Sequence, residues 1–528
     1  MNLSGPIIFI LLLAVLLAVA VAWVVAWLYQ RRMLSLMRGG PPVNAIDVEA
    51  QVVSPNSGAP RDWGEAVNFS ANRRAHYRLM LLIGALALLI GLTQAELALR
   101  FIYVGKDFSL NRLLVLGAVY AWPMVLGWGM ARRWSWLRTL AGVALYMVAM
   151  ALLVMWRSNG EQTLAGVGGW LAGAVAIPMM VALLVGASGR IRAVAPYLLP
   201  AAMLLAGSSV FALQLMANTV EHPPGWLISL VESIGANAAL GLVVFLPWLL
   251  AAWPVYVLGR KLADAYRAKR FSDLGYLIAV YWFVILFASA VPAMGDKGLV
   301  AFVELLPWLW LPLVLKLFRI QLAPPPDPPT LLVLRVFQHD AQVEKLFDQV
   351  IERWRLTGNT VLIAGTDLIS RTLDPDDLFT YLSGHLADRF VADAPNLSRH
   401  LAQLDLKPDP DGRYRVNGMY CFDTTWQAAL AALVARSHVV LMDLRGFQPS
   451  NQGCRHELGV LAHADNVKRV VLLYDASTAR EVAEADMVGA PAGRFLWLRS
   501  DRFGARKADE ILQALMAPAV SASVGGEG

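Results

Sequence analysis

The stretch Leu322–Thr330, LAPPPDPPT, divides the sequence into two parts that cannot share one fold. Its five prolines remove backbone donors and cannot continue a helix, so the stretch reads as a stiff, extended spacer. Ahead of it the chain is a succession of long apolar runs; behind it lies an ordinary mixed sequence. A soluble chain of 528 residues would be expected to form about three or four domains. Here 57% of residues are hydrophobic and only 16% charged, against globular averages of about 45–50% and 25%, which moves the first part into the membrane class.

Runs of roughly 20 apolar residues are the signature of a membrane-crossing helix. Nine are expected: Ile7–Leu28, Leu79–Leu99, Leu113–Met130, Leu137–Trp156, Leu164–Val185, Val194–Met216, Ala236–Leu258, Leu274–Pro292 and Leu299–Phe318. Trp226–Ser233 reads as an interfacial turn or the start of a longer tilted span. Ala18-Val19-Ala20 resembles a signal-peptidase site, but no Lys or Arg precedes the run and Arg31-Arg32 follows it, as in an anchor. Alternate loops hold seventeen Lys and Arg against five in the others. That bias places the amino terminus outside and the spacer in the cytosol. The two cysteines, Cys421 and Cys454, both follow the spacer and fit a reducing compartment; no metal-ligand spacing is present. Residues 1–329 carry 24 basic and 14 acidic residues, residues 330–528 carry 21 and 25. The net +6 therefore belongs to membrane flanks, and no nucleic-acid partner is expected. Buried carboxylates would mark a solute pathway, and only Glu304 lies well inside a clean span; Glu96 sits beside Arg100 near a span end and Glu232 in the ambiguous segment.

Behind the spacer, strand and helix signals alternate. Leu331–Phe337 is a continuous apolar run of buried-strand type. Val343, Leu346, Phe347, Val350, Ile351 and Trp354 then share one helical face. Strands follow at Thr360–Ala364, His438–Leu444, Lys468–Tyr474 and Arg494–Leu498, and helices at Thr425–Ala435, Gly453–His463, Arg480–Met487 and Ala505–Met516. Such alternation predicts a parallel sheet with ligands beyond the carboxyl ends of its strands. No GxGxxG, GxxxxGK[ST] or GxSxG occurs, which excludes the commonest nucleotide-binding and hydrolase sites.

The segment Ser437–Leu444, an apolar strand after a helix, is followed by Asn451-Gln452-Gly453-Cys454-Arg455-His456-Glu457-Leu458. This resembles Toll/interleukin receptor (TIR) domains, where the corresponding helix opens with Ser-x-Trp-Cys-x-x-Glu-Leu. Cys454, Glu457 and Leu458 match; Asn451 and Gly453 depart from it. Leu334–Asp340 also resembles the TIR opening of strand, aromatic and Asp. The resemblance covers Leu331–Ala364 and Thr424–Tyr474, with Gly365–Asp423 as an insert able to cover or block a site, whose turn-rich Leu406–Tyr414 is expected to be a hairpin tip. It implies a flavodoxin-like sheet and, in its enzymatic members, cleavage of NAD as substrate, with no resident cofactor or metal. Glu457 would be the catalytic carboxylate, and Phe337, Gln338, Asp340, Arg445 and Cys454 would line the nucleotide. Read from the residues alone, a Glu early in a helix simply faces water, Arg445 pairs with Asp443 or a carbonyl, His339 and His456 are solvated, and Trp426 packs in the core.

The expected layout is an all-α polytopic transmembrane bundle followed by an α/β parallel-sheet, flavodoxin/TIR-like cytosolic domain, on a bacterial-type protein of the inner cell membrane. Its parts are an anchor (1–28), a loosely ordered cytosolic linker (29–78), an eight-helix body (79–320), the spacer (321–330), the TIR-like domain (331–517) and a disordered tail (518–528). Membrane lipids are the expected partners, with homo-oligomers forming through the membrane body and the TIR-like domain. Three functions stay open: a nucleotide-cleaving signalling or defence enzyme, a non-catalytic interaction or nucleotide-sensing module, and a transporter or channel gated by the cytosolic domain.

Overall fold

The structure, a computed structural model, describes residues 4–39, 67–103, 109–158, 162–186, 189–217, 224–325, 327–335, 341–365 and 375–517. The chain forms two compact units. One comprises Met1–Leu28, Leu82–Lys316 and Thr372–Phe379; the other comprises Tyr29–Leu81, Leu317–Arg371 and Thr380–Gly528.

The first unit is helical. Nine helices among the described residues are long and apolar enough to cross a membrane, at the nine places the hydropathy marks. Their detail departs from uniform rods. Leu110–Ala131 breaks between Tyr120 and Pro123, where proline cannot donate to the preceding turn. The ninth begins as a 3-10 helix, Gly298–Leu309, and becomes α-helical at Trp310. The ambiguous segment forms a short helix, Gly225–Ile234, on which Glu232 is exposed. Gly91 lies against the Gly117 carbonyl so closely that a Cβ would stand 2.5 Å from it. Small residues at such crossings let two apolar helices approach backbone to backbone. Glu96 pairs with Arg100 at 2.8 Å, whereas Glu304 is buried.

The segment after the first span is more regular than a loose linker: the first helix runs on to Gly39, and the next begins at Phe69. Residues 40–66, the middle of the expected linker, lie outside the described residues, as do residues 518–528, the expected tail.

The second unit holds a seven-stranded parallel sheet: β1 (Thr330–Arg335), β2 (Asn359–Ile363), β3 (Phe390–Val391), β4 (Val416–Cys421), β5 (Val439–Asp443), β6 (Arg469–Tyr474) and β7 (Phe495–Arg499). Their spatial order is β3-β4-β2-β1-β5-β6-β7. With the insert strands β3 and β4 set aside, the remaining five follow the doubly wound order in which the chain reverses direction at β1. The helices that follow the spacer are α1 (Ala341–Leu346, continuing through a π turn Phe347–Ile351 to Glu352–Trp354), α2 (Pro375–Leu382, assigned to the first unit as far as Phe379), α3 (Ala394–Ala402), α4 (Trp426–Val434), α5 (Gln452–Ala462), α6 (Arg480–Asp486) and α7 (Ala505–Met516).

Period-two alternation sends Leu332, Leu334, Val440, Met442, Val470 and Leu472 to one face, where they pack with Leu430 and Leu433 of α4 and Leu458 and Leu461 of α5. The other face carries α1, whose predicted stripe is realised: Leu346, Val350, Ile351 and Trp354 are fully buried. Both faces are covered, which is why the central strands read as unbroken apolar runs.

The insert corrects the sequence reading. Leu406–Tyr414 is not the tip of a β-hairpin, since β4 pairs only in parallel with β2 and β3. It is a turn closed by Asp409 N–H donating to Arg413 O at 2.8 Å, tied to the end of α1 by Tyr414 N–H donating to Arg355 O at 2.8 Å. The turn precedes β4 and so lies at the amino-terminal end of the sheet. It therefore does not cover the opposite end, where ligands bind doubly wound sheets. Gly412 in this turn has φ +81°, and a Cβ there would run into the Leu322 carbonyl. The start of the proline spacer is therefore packed onto the domain rather than held away from it.

Candidate functional site

Arg335 ends β1 and Asp443 ends β5, and the two are register partners. Between these neighbouring strands the chain reverses its direction of travel across the sheet, and beyond the carboxyl ends at such a point doubly wound sheets hold their ligands. Both side chains are buried. Asp443 takes a forked contact from Arg445, with Nε donating to Oδ1 at 2.8 Å and Nη2 to Oδ2 at 2.5 Å. Such bidentate pairing fixes a guanidinium in orientation. Of the two readings of Arg445, the structure gives the Asp443 partner. The following loop is anchored by Phe447, which has no exposed surface, and by Gly446 N–H donating to Asp475 Oδ1 at 3.2 Å.

The helix α5 opens beyond the end of β5 and brings Cys454 and Glu457 inward. Glu457 is only 7% exposed, so it does not simply face water. Its Oε2 has no hydrogen-bond partner among the described residues. Burial pushes the Glu457 carboxyl up to about 8, with the nearby Arg335 cation acting in the opposite direction. Cys454, one turn earlier, points its Sγ towards the Arg335 carbonyl at 3.9 Å. Burial, and then the Glu457 charge, push that thiol up to about 12. Burial does the same to Cys421 at the end of β4. Neither thiol is a nucleophile at neutral pH, because the thiolate is the reactive form. No cluster of His, Cys, Asp and Glu that could hold a metal occurs among the described residues.

The glycine at position 453 has a structural counterpart. The Trp426 ring, at the start of α4, lies 4.0 Å from where a Gly453 Cβ would stand. It meets His456 edge-on at 5.4 Å between centroids. An indole from the preceding helix thus flanks the first turn of α5 where the expected motif carries its own aromatic. Trp426 is half-buried against the core, and His456 is exposed, as read from the sequence.

The structure thus brings Glu457, Cys454 and Arg445 to one end of the sheet. Phe337, Gln338 and Asp340, together with His339, lie outside the described residues. Arg335 was missed by the sequence reading. Its signal was a lone cation ending the apolar run Leu331–Leu334, in a strand that is buried throughout. A charge there, two strand positions beyond Val333, must find a polar environment at the strand's end. Comparison with protein-family models, with curated proteins and with solved structures yields no match.

Proposed function

We propose that this is a multi-pass protein of the inner cell membrane, amino terminus outside, whose cytosolic TIR-like domain cleaves NAD or a related nucleotide in signalling or defence. The nine long apolar helices and the alternation of basic loops support the membrane placement. The observation that carries the chemistry is Glu457: a buried carboxyl with an unpartnered oxygen, on the helix that follows β5 at the point where the sheet reverses direction, with the Arg335 cation acting on it. Groups perturbed in this way by burial and a specific charge partner concentrate at functional sites.

In the proposed reaction the bond between ribose C1′ and the nicotinamide nitrogen breaks, and the departing base keeps the bonding pair. The ribose left behind is oxocarbenium-like, and ionised Glu457 opposes its charge. Water then adds at C1′ and releases a proton, giving ADP-ribose. A carboxyl whose burial places it near neutral pH changes its charge within the working range. Arg335 is the cation beside it.

A second reading, a nucleotide-sensing module without turnover, draws support from Arg445, whose fork is engaged by Asp443. One experiment separates them. The full chain in lipid nanodiscs, at high protein concentration, is incubated with NAD and nicotinamide release is measured beside Glu457→Gln. Release by the wild type and its loss in the variant are expected. Saturable NAD binding without release supports the sensing module, and equal release from both proteins sinks the role of Glu457. The full chain is required because Tyr29–Leu81 belongs to the same compact unit as the sheet.

A further inference from the structure

We infer that the first turn of the helix Phe69–Leu97 sets the position of Arg335 beside Glu457, acting through α1, with Asn72 and Phe347 as positioning residues. The inference takes the site above as the functional one and adds its regulation.

The contacts run in an unbroken series within the second compact unit. Asn72 has no exposed surface, and its Nδ2 donates to Arg353 O at 2.7 Å and to Thr357 Oγ1 at 3.0 Å. Phe69, one turn earlier, lies beneath the Arg353 guanidinium at 5.6 Å. Arg353 also pairs with Asp509 of α7. These groups hold the end of α1. The middle of α1 is the π turn Phe347–Ile351, where one residue more than the α-helical count fits between hydrogen bonds. Such turns occur mostly singly and often at functional sites, because the extra residue can be gained or lost by a small shift of the helix. Phe347 begins the turn, and its ring lies under the Arg335 guanidinium at 6.0 Å. Arg335 in turn acts on Glu457 through its charge. A displacement at Asn72 therefore reaches the π turn first, then the ring that supports Arg335.

Two features single out this route. Asn72 is a polar side chain buried without exposure, and two of its contacts are made across more than 280 residues of sequence to groups at the end of one helix. The Arg335 cation at the end of β1 rests on a ring in the one irregular turn of that helix, at its middle. Packed cores and hydrogen-bonded ends switch between arrangements rather than deforming smoothly, so the π turn is the element both sites bias. Among the described residues, the charged and titratable groups that act on Glu457 or on which it acts are Arg335 on β1 and Cys454 on its own helix, while the Asp443–Arg445 pair ends the neighbouring strand β5.

The test reads the protonation of Glu457 and needs no turnover. Infrared spectra of the full chain in nanodiscs are titrated against pH, and the carboxylic-acid band lost in Glu457→Gln is assigned to this residue. Because the Arg335 cation favours the ionised form, releasing Arg335 raises the midpoint. Phe347→Leu and Asn72→Ala should each raise it by about one pH unit, and the double variant no further than the larger single effect. A purely structural role for Asn72 would loosen the amides of Arg353–Thr357 in hydrogen exchange while leaving the midpoint unmoved. Should Asn72→Ala fail to fold, Thr357→Val removes one hydroxyl partner and serves in its place. An unmoved midpoint in the folded variant overturns the inference, even in a protein that releases nicotinamide. A shifted midpoint in a protein that releases none sustains it and sinks the enzymatic reading instead.

Discussion

The sheet buries charge at both ends, yet the two ends treat it differently. At the amino-terminal end, Arg413 bridges Asp411 at 2.9 Å and Glu352 at 3.1 Å, while Arg355 also holds Glu352 at 2.9 Å. Arg415 reaches Asp409 at 2.8 Å and Asp405 at 3.6 Å. Every carboxylate in that network has a cation within reach. At the carboxyl-terminal end, the Asp443–Arg445 fork is equally complete, but Glu457 on α5 keeps an oxygen without a partner among the described residues. Charge removed from water is costly unless paired, and a satisfied network fixes a unique arrangement of backbone. An acid left incompletely satisfied destabilises the fold, and such a group persists where its reactivity is used. The first end therefore reads as architecture and the second as a site.

Breaking the architectural end should have the largest effect. Arg413→Ala leaves Asp411 buried without its cation and removes one of the cations on Glu352, and should cost about 3–5 kcal/mol in denaturant unfolding of the second unit. A loss near zero would show that the network is not holding the insert. Gly412→Ala in the same turn meets a positive φ and the Leu322 carbonyl together, and should cost about 1–3 kcal/mol in the same assay. No loss there would mean that the spacer is not seated on the turn. At the other end, Glu457→Gln at pH 5 should change stability by only about 0.5 kcal/mol, since a protonated carboxyl and an amide are nearly isosteric. A large loss at that pH would give Glu457 a structural role like that of Arg413.

Much of this was legible in the sequence. The apolar runs before the spacer become helices because a continuous apolar segment of that length has no other way to satisfy its backbone in an apolar setting. The central strands announce themselves for the related reason that both faces are covered. β3 and β4 did not: Phe390–Val391 is two residues long, and Val416–Cys421 carries an Asn and a Gly in place of an apolar run. Nor could the Asp and Arg residues around Gly412 be told from a solvated turn, because their burial depends on partners contributed by α1, about 60 residues earlier. Glu457 was singled out by the residues around it, but whether it faced water or was buried depended on how α5 is rotated. Arg335 and the π turn of α1 were hidden for a like reason. A cation at a strand end gains its meaning only when a ring and a carboxyl from two other elements arrive beside it.

The difference between the two ends is tested most directly by Glu457→Gln at pH 8, measured for both unfolding and nicotinamide release. A carboxyl that is held near 8 in the folded chain, against an ordinary value of 4.5, keeps a proton that the unfolded chain has lost. Its contribution to stability is therefore intact below the ordinary range and is lost as pH rises towards 8. The amide carries no such penalty, so the variant should gain on the wild type as pH rises, unfold later at pH 8, and release no nicotinamide. A variant that unfolds earlier at pH 8 and still turns NAD over would contradict the account, making Glu457 a prop of the fold rather than its working group.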